Sequence, residues 1–399
     1  MPGFEKFSDL ERKEVNDVLE TGVLMRYGFD GMRNNIFKAK DLEAEIEQKF
    51  KINHAQLVSS GTTAVSLAMA LAGVGAGDEV IMPTFTFVAS FEAIIMLGAT
   101  PVLVDIDDTL TLCPTAVEKA ITSKTKAIMP VHMCGSMANL NALQDICNKH
   151  NLKLIEDACQ AIGGTYNNKY LGTLGDVGCF SFDFVKTVTC GEGGAIITNS
   201  KDLAIEADRF QDHGHDHVGS DRGAETHPSL GYNFRISELN AAVGLAQFKR
   251  LDEFLSLQKK YYTIIREELS QFKDVVFRTV PEGGEESYAF LNFFLPDLEI
   301  ARNVMVGFKA EGIDVCFHYF DNNWHYVRKW DHLKNAKSIY PLSASLKEGL
   351  SQISKQDFSQ SDSYIARNIS CLIKIGWTEE DVVLRAKKMA KVIKDCLSN

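Results

Sequence analysis

Residues 79–157 carry four apolar runs, EVIMP (79–83), TPVLVDI (100–106), KAIMPVHM (126–133) and LKLIED (152–157), and their spacing decides the fold. Helix-length stretches near 87–97, 115–121 and 139–150 separate them. Near-continuous apolar runs mark strands buried on both faces, and strand–helix alternation builds a largely parallel sheet covered by helices on either side. Upstream, DLEAEIEQKF (41–50) reads as a helix, QLVSS (56–60) as a strand and TAVSLAMALAG (63–73) as a buried helix. Downstream, CFSFDF (179–184) and GAIITN (194–199) add two strands. The class is α/β.

Beyond this block the pattern changes. QDHGHDHVGSDRGAETHPSLG (211–231) is polar and glycine-punctuated, and reads as a loop. A long helix is expected from Ser237, its N-cap, with Glu238 in the positive first turn. Leu251, Phe254, Leu255, Tyr262, Ile265 and Leu269 share one face of it. SYAFLNFFL (287–295), a helix near 298–311 and DVCFHYF (314–320) then give strand–helix–strand, and TEEDVVLRAKKMAKVIKDCL (378–397) a closing amphipathic helix. These features divide the chain into a large domain, 1–250, and a small one, 251–399. SQISKQDFSQSDS (351–363) reads as a surface loop.

Acidic side chains outnumber basic ones by 53 to 42, for a net charge of −11. No Lys/Arg cluster stands out, which argues against nucleic acid as the main ligand. The nine cysteines include no C-x-x-C pair, so neither a zinc finger nor a thioredoxin motif is present. They read as buried free thiols in a reducing compartment. The start, MPGFEKFSDLERKEV, has no apolar signal core, and no window reaches about 18 apolar residues. A cytoplasmic protein without a membrane partner is expected.

Several residues could carry chemistry. Ser60-Gly61-Thr62-Thr63 stands where a strand ends and a helix begins; it suits a phosphate, or simple helix capping. Gly73-x-Gly75-x-Gly77 follows a helix and precedes a strand, so it is a turn and no dinucleotide fingerprint. Glu156 and Asp157 end a strand with opposite side-chain directions. Asp157 either caps the next segment or aims a carboxylate into the crevice at the strand ends. Lys186 lies among Phe184, Val185 and Val188, ahead of Gly191, Gly193 and Gly194. Partial burial there favours the neutral amine that a Schiff-base lysine needs; a snorkelling lysine is the alternative. Asn233 and Arg235 precede the long helix and read as outward polar groups or as an ordinary loop. His213, His215 and His217 alternate on a loop with Arg222, which fits a cationic patch or a solvated loop. They lack a second ligand group at zinc spacing, so no metal is expected.

Read together, VSSGTTAVSLA (58–68), MPTFTFVAS (82–90), PVLVDID (101–107), PVHMCG (130–135), LIEDACQAIG (154–163), GDVGCFSFDFVKTVTCGEGGAIIT (175–198), DHG (212–214) and GYNFRISELNAAVGLAQ (231–247) resemble one family. It is the pyridoxal-phosphate-dependent sugar aminotransferases named DegT/DnrJ/EryC1/StrS. The resemblance implies the aspartate-aminotransferase-like fold (fold type I), with a large mostly parallel-sheet domain, a smaller C-terminal α+β domain and a homodimer. It implies that Lys186 binds pyridoxal 5'-phosphate as a Schiff base and shuttles the proton, and that Asp157 pairs with the ring nitrogen. Phe87 would stack on the ring and Gln160 approach its hydroxyl. Gly61, Thr62 and Ser181 would hold the phosphate, with Asn233 reaching in from the other subunit. His132 and Arg235 would line the site. L-glutamate would be the amino donor and a keto or aldehyde sugar the acceptor. Asp183 and Phe184 stand where many members carry His-Pro, which bears on the substrate side. Related dehydratases replace the lysine by histidine, and this chain keeps lysine. The His-rich loop with Arg222 resembles that of the 8-amino-3,8-dideoxy-octulosonate transaminases of lipopolysaccharide synthesis; a nucleotide-linked keto sugar is the runner-up acceptor. A regulatory or binding protein on the same fold is the reading from another class.

Overall fold

The computed structural model describes residues 2–219, 222–353 and 355–398. The strands run β1 (His54–Val58), β2 (Glu79–Pro83), β3 (Thr100–Val104), β4 (Thr125–Ile128), β5 (Lys153–Asp157), β6 (Thr165–Tyr166), β7 (Lys169–Tyr170), β8 (Val177–Ser181), β9 (Gly194–Thr198), β10 (Val276–Phe277), β11 (Gly284–Glu285), β12 (Phe290–Phe294), β13 (Cys316–Phe317) and β14 (Asn368–Leu372). The helices that matter below are α1 (Asp9–Thr21), α2 (Lys38–Phe50), α3 (Gly61–Leu71), α4 (Val88–Met96), α5 (Pro114–Ala120), α6 (Leu140–His150), α7 (Lys201–Phe210), α8 (Glu238–Phe248), α9 (Leu251–Leu269), α10 (Leu298–Ala310), α11 (Asp331–Lys334), α12 (Ala344–Ile353), α13 (Ser359–Arg367) and α14 (Glu379–Leu397).

Seven strands form the main sheet in the order β1-β9-β8-β5-β4-β2-β3. Neighbours from β8 to β3 are parallel, and β9 runs antiparallel to both β1 and β8. The all-buried strands β8 and β9 show why the sequence lacks strict alternation there: both faces are covered. Separate apolar cores fill the two sides, one built around Leu67, Phe91 and Ile155, the other around Leu42, Phe180 and Phe248. A second, antiparallel sheet, β10-β12-β14-β13, packs under α9, α10 and α14. The α/β class and the strands read from the sequence stand as expected. Among the described residues no helix is long and apolar enough to cross a membrane.

Three expectations change. The long helix from Ser237 is two helices, broken at Lys249–Arg250, where Arg250 leaves helical geometry and its guanidinium donates to the Lys6 carbonyl and to Glu253. The break lets α8 stay in the main core while α9 crosses to the small sheet. The stretch expected as a surface loop at 351–363 contains the end of α12 and the start of α13; Ser354 lies outside the described residues. Leu346, Leu350 and Ile353 recur at helical spacing and are buried, which overrides the polar composition. The cysteines are not all free thiols: Cys316 and Cys371 face each other directly on β13 and β14 and form a disulfide.

The end of β5 fixes the centre of the molecule. Glu156 is fully buried and accepts from the amides of Gly172 (2.8 Å), Leu174 (2.7 Å) and Gly175 (2.6 Å). His132 lies 3.0 Å away through Nε2, and the Ala138 amide reaches its Nδ1, so the ring proton sits on Nε2 and is donated to Glu156. Replacing Glu156 by Ala strands three buried amides and one imidazole, so a loss on the order of 3–5 kcal/mol is expected from denaturant unfolding. A loss under about 1 kcal/mol would show that this network is incidental.

Candidate active site

The site forms at the carboxyl ends of the parallel strands, where open α/β sheets bind their ligands. At the end of β1, Ser60 caps α3 through a capping box with Thr63. Capping and phosphate binding therefore divide the labour. Thr63 is spent on the cap, while the Gly61 and Thr62 amides stand at the positive end of the helix, with Thr62 exposed. A Cβ added to Gly61 would come within 2.6 Å of the Ser181 Cβ at the end of β8. The cradle between them exists only because residue 61 is glycine, and it fits a phosphate.

Asp157 sits at the end of β5, 3 % exposed. Its Oδ2 accepts from Ser90 (2.7 Å) and its Oδ1 from the Cys159 amide (3.1 Å). Phe87, the N-cap residue of α4, is 40 % exposed, so its ring is open to stacking. Gln160 accepts the Cys134 amide at 3.1 Å through Oε1, which leaves its Nε2 as the donor for a ring oxygen.

Lys186 occupies a tight loop between β8 and β9. Its amide donates to Asp183, and its carbonyl accepts from Gly3 at 2.9 Å. Phe184 stacks on Phe4 at 4.2 Å, so the N-terminal turn clamps the lysine loop from outside. The Asp183 carboxylate accepts from the Val185 amide. Lys186 itself is partly buried, and its charge bears on His325, Cys134 and Cys159. Burial, helped by that charge, pushes the His325 imidazole down to about 3, so it is neutral at ordinary pH. The donors and acceptors present thus match pyridoxal phosphate at its phosphate, its ring face and its ring nitrogen.

Two groups of expected residues behave differently. His132, expected to line the site, turns inward and is fully buried against Glu156, beyond the end of β4 at the start of a short turn. The His-rich loop folds onto α7 and the N-terminal segment. His217 bridges Asp208 (2.6 Å) and Asp212 (2.9 Å) and stacks on Tyr27 at 4.0 Å. Arg222 and Arg235 both bond Asp212, which is fully buried. Burial pushes Asp212 up, but bonds from His217 and Arg222 and the charges of both arginines outweigh it and hold it below the usual carboxylate range. His215 faces Glu225 at 2.8 Å and packs on His227, while His213 is exposed. Among the described residues no group of three or more His, Cys, Asp or Glu is arranged to hold a metal ion. Asn233 is exposed, paired in a bridge with Asp212, and its Oδ1 accepts the Arg235 amide.

Sequence reasoning missed the wall formed by 317–326. Trp324 stacks on His325 at 5.3 Å, and His325 meets Phe87 edge-on at 5.6 Å. The aromatic run was legible; its role was hidden because the contact with Phe87 spans more than 200 positions. The N-terminal turn over Lys186 gave no sequence signal either.

Residues 7–363 match the model of the DegT/DnrJ/EryC1/StrS aminotransferase family. The chain belongs to that family. It is 36 % identical over 338 residues to the GDP-perosamine synthase of Vibrio cholerae, covering 84 % of this chain and 88 % of that one. To the UDP-N-acetyl-3-dehydro-alpha-D-glucosamine 3-aminotransferase of Acidithiobacillus ferrooxidans it is 35 % identical over 284 residues, 71 % of this chain and 74 % of the relative. The crystal structure of 3-amino-5-hydroxybenzoic acid synthase superposes with a TM-score of 0.80 at 28 % identity, covering 98 % of this chain and 97 % of the other. The family member described here is therefore an aminotransferase of fold type I.

The loop makes a pH prediction. Burial lowers the His217 pKa, but Asp208 and Asp212 outweigh it and raise it to about 9. The stabilisation is fully present below the ordinary histidine value of about 6.5 and is lost as pH rises through about 9. Proteolysis within 211–235 is expected to accelerate between about pH 7 and pH 10 in the wild type. In His217→Gln cleavage should be fast at both pH values; an unchanged pH response in that variant would remove His217 as the latch.

Proposed function

We propose that the chain binds pyridoxal 5'-phosphate through Lys186 and moves an amino group from L-glutamate to a carbonyl sugar. The observation that carries this reading is that Asp157, Phe87, the Gly61–Ser181 cradle and the Lys186 loop all stand at or just beyond the carboxyl ends of the strands. Bound there, the cofactor supplies the electron sink. Asp157 holds the ring nitrogen by charge. Phe87 covers one ring face. Gly61, Thr62 and Ser181 hold the phosphate, and Gln160 meets the ring hydroxyl through Nε2. The Lys186 amine would carry the proton from the donor Cα to the cofactor C4′ in the first half-reaction and from C4′ to the acceptor carbon in the second. Buried walls around His325 exclude water from that transfer.

A homodimer completes the site in this reading. Asn233 is exposed, and so are the apolar side chains of Phe184, Val185, Leu230 and Tyr232. A partner covering them would bring its own Asn233 to the phosphate. The enzyme works in the cytoplasm.

For the acceptor we favour an 8-oxo-3,8-dideoxy-octulosonate of lipopolysaccharide synthesis. Support comes from the likeness of the His-rich loop with Arg222 to that of the octulosonate transaminases; its cations His217, Arg222 and Arg235 are held by Asp208 and Asp212, which fixes the loop's shape. A nucleotide-linked keto sugar is the second reading, favoured by the names of two relatives. A regulatory protein has no need of the complete set around Lys186.

Adding L-glutamate to the yellow holoprotein is expected to bleach it and release 2-oxoglutarate, and Lys186→Ala is expected to lower that rate by at least about 10⁴-fold, as for other removed catalytic nucleophiles and bases. A Lys186→Ala variant of full activity would overturn the reading. An octulosonate aldehyde should restore the yellow form; restoration by nucleotide sugars alone would select the second acceptor.

A further inference from the structure

We propose that Thr86 and Ser90 form a two-hydroxyl relay that aims the Asp157 carboxylate at the ring nitrogen of the cofactor. The inference rests on the cofactor assignment above. Ser90 Oγ lies 2.7 Å from Asp157 Oδ2, and a carboxylate only accepts, so the Ser90 proton is committed to it. The Ser90 oxygen is then the acceptor for Thr86 Oγ1 at 2.9 Å, the nearer of the two acceptors of that proton, the Phe87 carbonyl lying at 3.3 Å. Thr86 is fully buried and Ser90 3 % exposed, so water does not replace either hydroxyl.

The chain direction is set by the fold. Thr86 and Ser90 stand one helical turn apart across the start of α4, with Phe87 between them as the N-cap. One turn of chain thus presents the stacking ring and the carboxylate's donor together. The Thr86 amide also donates to the His325 carbonyl at 2.9 Å, which ties the far end of the relay to the aromatic wall.

The relay has a defined task. An aspartate carboxylate turns broadly about its last torsion when nothing holds it. Here Ser90 holds Oδ2 and the Cys159 amide holds Oδ1, so both oxygens are fixed and each keeps a lone pair. Ser90 and Thr86 are positioning residues: they act on the cofactor only through Asp157.

The test compares binding of pyridoxal phosphate with binding of its 1-deaza analogue, in which C–H replaces the ring nitrogen, to the full-length apoprotein. Ser90→Ala should weaken pyridoxal phosphate by roughly ten-fold, the scale of one hydrogen bond to a charged group, and leave the analogue within about two-fold. Ser90→Thr should restore wild-type affinity. Thr86→Val, which keeps the Ser90–Asp157 bond, should give a smaller loss in the same direction, and carries the test if the alanine variant does not fold. Equal weakening of both ligands would mean a general distortion of the pocket and would overturn the relay, as would no weakening of either. Failure of the wild type to bind pyridoxal phosphate would instead overturn the cofactor assignment.

Discussion

Glu156 and Asp157 are neighbours on β5, and a strand sends neighbours to opposite faces. Glu156 goes into the protein, where three backbone amides and His132 satisfy it. Asp157 goes to the crevice, where two donors hold it and leave it room for a ring nitrogen. A slip of one residue would exchange their roles and bury the wrong carboxylate. The Glu156 network is thus the structural anchor against which the crevice carboxylate of Asp157 is set.

The other parts reach the same edge by separate routes. The Gly61–Ser181 approach joins the ends of β1 and β8, although β9 lies between them in the sheet. The Lys186 loop is clamped from the chain's own N-terminal turn, through Gly3 and Phe4. The wall at 317–326 comes from the small sheet and meets the main sheet through Phe85, Thr86 and Phe87. Residues from five distant stretches converge, which makes the site sensitive to the packing of both sheets.

Much of this was legible in the sequence, for physical reasons. Parallel strands buried on both faces write unmistakable apolar runs, so β2 to β5 and the edge carrying Asp157 could be read directly. Gly61 and Lys186 could be picked out because glycine and a lysine among apolar residues are unusual at those places. What could not be read depends on long-range contact. His132 was expected in the site, but only the fold shows that Glu156 claims it. The His-rich loop read as a cationic patch, and the structure instead neutralises most of it with Asp208 and Asp212, which sequence spacing does not single out. Helices α12 and α13 reach into a polar stretch because a few buried positions decide them, Leu346, Leu350 and Ile353 in α12 and Ser361 and Ile365 in α13. Cys316 and Cys371, 55 positions apart, meet only through strand register.

The central claim is that Lys186 is the residue that holds the cofactor. Reduction of the pyridoxal-phosphate-loaded protein with borohydride, followed by proteolysis and mass spectrometry, tests it most directly. The account predicts a single phosphopyridoxyl adduct, on Lys186. An adduct confined to another lysine, or none on a protein that has taken up the cofactor, would contradict it.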